Sequence, residues 1–64
     1  MVRDFRFLTV DDRYSVPTLK FVQAADPERA RAMAEQLLRE SPHHRAVQVW
    51  EDETLLFVVG AGAP

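Results

Sequence analysis

A single segment of the chain has the period of a helix, and that limits the fold to one helical layer. Asp26-Pro27-Glu28 is a helix start. Asp26 can accept from free N–H groups, Pro27 suits the first helical position, and Glu28 complements the positive end of the helix dipole. Ala30, Met33, Ala34, Leu37 and Leu38 then fall on one stripe at three- and four-residue spacing, with Arg31, Glu35, Gln36 and Arg39 on the far side. The helix should stop by Ser41, because Pro42 cannot continue it and disfavours helical geometry in the residue before it.

Everything on either side of this segment alternates with a period of two. Arg3 to Val10 and Val16 to Gln23 precede the helix; Ala46 to Trp50 and Thr54 to Val59 follow it. These runs read as strands, separated by turns at Asp11-Asp12-Arg13 and Glu51-Asp52-Glu53. The expected fold is therefore α+β, ββαββ, with a four-stranded antiparallel sheet and one helix packed on one face. Pro17 has no N–H to give a ladder and favours an edge for the second strand, so the preferred spatial order is 2-1-3-4, with 1-2-3-4 as the alternative. Residues 1–59 form the single domain and 60–64 a frayed tail.

One stripe covers one sheet face. Alternation assigns to that face all four phenylalanines, Phe5, Phe7, Phe21 and Phe57, with Leu19, Val47, Val49, Leu55 and Val59. The other face then carries Asp4, Arg6, Leu8, Val10, Val16, Thr18, Lys20, Val22, Ala46, Gln48, Trp50, Leu56 and Val58. No second helix covers it, and it is more apolar than a fully solvated face. A contiguous exposed apolar patch marks an interaction surface, and Trp and Arg are enriched where binding energy concentrates. The candidate partner-binding residues are Arg6, Leu8, Lys20, Gln48, Trp50, Leu56 and Val58.

Composition narrows the partner. The chain has 64 residues and no cysteine, so neither disulfides nor a cysteine zinc site can support it. A domain this short buries only about 60% of its unfolded surface, which makes self-association an open route to stability. Its net charge is −2, without the basic excess of an electrostatic nucleic-acid binder. No apolar run is long enough to span a membrane, and Arg3, Asp4 and Arg6 occupy the place of a leader's apolar stretch; a cytoplasmic location is expected. The expected function is a small protein-interaction module: a second copy or another protein docks on the open sheet face or extends an edge strand, the second or the fourth.

Chemistry is thinly represented. His43-His44 should follow the helix near the Asp11-Asp12 turn, which leaves a metal site as a further alternative, although adjacent loop residues rarely aim at one ion. The carboxylate pairs are turn residues first. The only glycines are Gly60 and Gly62, so no phosphate-binding loop exists, and no G-x-S-x-G elbow accompanies Ser15 or Ser41. No catalytic residue, cofactor or resident metal is expected. The runner-up function is weak single-stranded nucleic-acid binding by Arg6, Lys20 and Trp50.

Two strings, FVQAADPERARAMAEQLL and AVQVWEDETLLFVV, resemble a group of short α-proteobacterial proteins without an established activity. The shared layout is a strand leading through Ala25-Asp26-Pro27-Glu28-Arg29-Ala30 into a helix, then Val47-Gln48-Val49-Trp50-Glu51-Asp52 closing a later strand. Ala24 stands where that group has Cys, and the Glu51-Asp52-Glu53 turn lacks its Gly. The resemblance implies a single ββαββ domain and supplies no catalytic residues.

Overall fold

The computed structural model describes residues 1–60. β1 (Arg3–Asp11) and β2 (Thr18–Ala24) form a hairpin, α1 (Pro27–Arg39) follows, and β3 (His44–Glu51) and β4 (Thr54–Gly60) form a second hairpin. The sheet is antiparallel throughout, in the order β2-β1-β3-β4. The expected α+β architecture and its preferred strand order are both present. β4 runs one residue beyond the expected boundary, to Gly60; the rest of the expected tail, 61–64, lies outside the described residues.

The helix ends are built as the sequence implies. The Asp26 carboxylate accepts the Arg29 N–H at 2.8 Å, Pro27 opens the helix, and the Glu40 N–H donates to the Leu37 carbonyl at 3.1 Å. α1 lies chiefly over β3. Ala30 and Ala34 are buried, which lets helix and sheet approach closely, and Leu37 and Leu38 pack beside them. The core beneath is Phe5, Phe7, Val47, Val49 and Val59, with Phe57 half-buried against it.

Two strands depart from the expected faces. In β2 the register is Phe5↔Val22 and Phe7↔Lys20, so each odd-numbered residue of β1 faces an even-numbered residue of β2. Directly opposed residues share a face. Val22 and Ala24 (8% and 5% exposed) therefore lie under the helix with Thr18 and Lys20, whereas Leu19 and Phe21 (49% and 75%) lie on the open face. A one-residue change of register moves every side chain of a strand to the other face. Val16 is exposed in the turn before β2 and belongs to neither face.

In β4, a register shift between Val49 and Trp50 sets Leu55 opposite Trp50 and leaves Leu56 as the extra residue. Leu55 is exposed rather than core, and Leu56 packs against the core rather than on the open face. Gly60 closes the strand at φ +112°, with only backbone atoms of Arg45 and Ala46 within 3 Å of the place a Cβ would take. Only glycine fits there.

Candidate binding face

Three ladder rows cross the open face. Phe21, Arg6, Trp50 and Leu55 form the first; Leu19, Leu8, Gln48 and Val58 form the second; Val10, Ala46 and Gly60 form the third. The sheet register alone brings these residues together from four strands. Arg6, Leu8, Leu19 and Trp50 line a shallow depression of about 260 Å³ between the first two rows.

Local contacts fix its two large polar-tipped side chains. Trp50 Nε1 donates to Gln48 Oε1 at 3.0 Å, two residues back on the same face of β3. The Arg6 guanidinium lies 6.0 Å from the Trp50 ring and donates to the Asp52 carbonyl in the β3–β4 turn. Asp52 holds that turn with φ 54°, a conformation Asp tolerates better than most residues. Arg6 is thereby drawn along the indole, leaving the ring's apolar surface beside Leu8 and Leu19. At one rim, Gln23 Nε2 donates to Asp4 Oδ1 at 3.0 Å.

Of the expected partner-binding residues, Arg6, Leu8, Gln48, Trp50 and Val58 share this face. Lys20 does not: it stands opposite Phe7 on the helix side, where the β1 register puts it. The grouping of Arg6, Lys20 and Trp50 invoked for nucleic acid is therefore split across two faces. Leu56 is also excluded, by the bulge that turns it to the core. Leu19 and Phe21 are the additions. No known protein family, curated protein or solved structure matches this chain. Its functional reading therefore rests on its own residues.

The second cluster of chemistry-bearing side chains lies at the end of the sheet where β1 finishes and β3 begins. Asp11 is 4% exposed; its carboxylate accepts from the Arg13 backbone N–H at 2.8 Å and from the Arg13 guanidinium at 3.0 and 2.7 Å. These hydrogen bonds hold Asp11 far below the usual carboxylate range, against the opposing effect of burial. The two histidines turn to different partners. His43 Nδ1 lies 3.0 Å from Asp12 Oδ1, while His44 Nδ1 donates to the Leu37 carbonyl at 2.7 Å and its Nε2 lies 3.7 Å from Asp11. Arg45 also reaches Asp12, at 2.8 Å. Among the described residues no group of three or more His, Cys, Asp or Glu side chains is placed to hold a metal ion. The cluster ties the end of α1 to the β1–β2 hairpin and the start of β3. At the opposite end, Arg3 forms a two-pronged pair with Glu51, whose carboxyl is lowered by those hydrogen bonds. No helix among the described residues is long and apolar enough to cross a membrane.

Proposed function

We propose that this chain is a small protein-interaction module that docks a second copy or another protein through its open sheet face. The observation that carries the reading is the run Phe21, Leu19, Leu8 and Trp50, an apolar band over three strands with no layer above it among the described residues. Isolated exposed apolar residues are ordinary on soluble proteins, but a contiguous band with an aromatic at each end is an interaction surface. Trp50 and Arg6 are the residue types that dominate binding energy at interfaces, and here each restrains the other. The Trp50 ring presents a rigid apolar body whose N–H is already satisfied by Gln48, so covering the ring strands no donor.

The test is native mass spectrometry of the protein purified gently from its own host, for wild type and Trp50→Ala. The expected result is a homodimer or a stoichiometric heterocomplex whose stability falls at least about tenfold in the variant, with an unchanged circular-dichroism melt. Unfolding of Trp50→Ala would make the indole a core element. Leu19→Lys, at a half-exposed position on the same face, then serves as the second probe. Complexes indifferent to both substitutions would remove the face from the reading.

A further inference from the structure

β2 is an edge strand guarded by one inward charge, Lys20, and by Pro17 just before it, but by no bulge. The features that usually keep edges unpaired are prolines, bulges, inward charges or a covering element. Residues Thr18–Ala24 contain no proline and one charge, Lys20, and they pair with β1 in unbroken register from Thr9↔Thr18 to Arg3↔Ala24. The other edge differs in its pairing: β4 joins β3 across a bulge. α1 borders both edges, with the Arg31 guanidinium 4.8 Å from the Phe57 ring on the β4 side. Three large exposed apolar side chains stand on or beside β2. Phe21 and Leu19 stand on the open face; Met33 of α1 stands across an open groove of about 400 Å³ on the helix side, above Phe7, Lys20 and Val22.

We infer that β2 pairs antiparallel with β2 of a second copy, about a two-fold axis at Phe21, joining two four-stranded sheets into one of eight strands. The inference rests on the interaction-module reading and deepens it by naming the edge, the occupant and the register. Phe21 is the middle residue of the strand, so an axis there pairs all seven residues. It sets Phe21 opposite Phe21, Lys20 opposite Val22, Leu19 opposite Gln23 and Thr18 opposite Ala24. Every pair joins residues of the same face, so both helices stay on one side and both apolar bands on the other. Leu19 and Phe21 of the two copies become diagonal neighbours within side-chain reach. The Lys20 stem lies along Val22 with its ammonium free to reach water. Moving the axis to Lys20 sets two ammonium groups directly opposite each other, which is unfavourable. Moving it to Val22 shortens the ladder and places Phe21 against Gln23. A specific interface needs about 800 Å² per partner, under a fifth of this chain's 4523 Å² surface. On the open face the new ladder is flanked by Leu19 and Phe21 of both copies; on the helix side the two grooves, lined by Lys20, Gln36 and Glu40 beside Met33, meet across the axis.

Phe21 is exposed and outside the core, so it can carry a charge without loss of fold. Phe21→Asp and Phe21→Lys are each expected to weaken the dimer at least about tenfold, and an equimolar mixture of the two should restore a 1:1 heterodimer in native mass spectrometry. Amide exchange of the wild type should show alternate β2 amides slowing as protein concentration rises. A wild-type chain that stays monomeric up to about 1 mM overturns the inference. So does a dimer whose β2 amides exchange at the monomer rate, or one whose concentration-dependent protection falls on β4. A dimer lost in Trp50→Ala but kept in both Phe21 variants overturns the edge pairing while the face reading stands. A β2-protected dimer indifferent to Trp50→Ala keeps the edge and shows that the face takes no part in the dimer.

Discussion

Asp11 illustrates how much a single residue's role depends on what surrounds it. In the sequence it is the first of three polar residues that read as a solvated turn. In the fold β1 runs on through Asp11, which continues the inward row of Phe5, Phe7 and Thr9, so its carboxylate is buried and gripped by Arg13. A polar turn is legible from composition, but the extent of the strand before it is not, because β1 is held through Asp11 by pairing with β3 far along the chain. The consequence is a pH dependence with a definite sign. The Asp11 and Glu51 carboxyls are both lowered in the folded state by hydrogen bonds from Arg13 and Arg3. Their unfolded values lie near the ordinary ones, about 4. Above that range both states are ionised and the full contribution is present. As pH falls through it, the unfolded chain takes up protons first, and stability is lost until the folded carboxyls also protonate. Urea midpoints measured from about pH 7 down to about pH 2 should therefore fall below about pH 4, where the unfolded groups titrate. Asp11→Asn should flatten that fall. An unchanged slope in Asp11→Asn would show that Asp11 is not linked to folding.

At the scale of elements, the helix was the most legible part because its signals are local. Asp26, Pro27 and the 3–4 stripe are contained within one segment, and the structure uses the cap, the proline and Ala30, Ala34, Leu37 and Leu38 of the stripe, while Met33 stays exposed at its margin. Asp26→Ala removes the acceptor that satisfies the Arg29 N–H and should cost about 1 kcal/mol, read as a lower urea midpoint with an unchanged slope. A neutral result would mean that water replaces the cap without loss. β2 was legible as an edge strand but not in its orientation. Both of its alternate sets carry apolar residues, Leu19 and Phe21 against Val22 and Ala24, so periodicity cannot choose between them. Size argues for burying Phe21; the hairpin connection, residues 12–17, imposes the register that buries Val22 instead. The helix lies chiefly over β3, and Val22 and Ala24 complete the core on its β2 side. The candidate face was thus found through Arg6, Leu8, Gln48, Trp50 and Val58, while its most exposed members were hidden by a hairpin register that the sequence does not display. The Leu55–Leu56 exchange has the same origin, a bulge opposite Trp50.

For the whole molecule, two layers leave one side of the sheet without a partner among the described residues, and Leu19, Phe21 and Met33 concentrate exposed apolar surface at the β2 edge. A chain of this length has little stability to spare, and anything that binds only the folded form adds to it by mass action. If the second copy supplies that term, the melting temperature must depend on protein concentration. For a dimer that unfolds to two chains, a tenfold rise in concentration stabilises each chain by about 0.7 kcal/mol, or about 3–5 °C for a domain of this size. The expected result is a melting temperature rising by that amount per decade for the wild type and staying flat for Phe21→Asp, whose charges oppose each other at the axis. Trp50→Ala separates two ways in which the surface can be used. If β2 pairing carries the dimer and the open face takes a different protein, Trp50→Ala keeps the wild-type slope and loses only that protein. If the two open faces pack on one another, Trp50→Ala flattens the slope as Phe21→Asp does, and the β2 amides remain exchangeable. A flat wild-type curve would mean that the folded chain stands alone and its open face awaits a partner of another sequence.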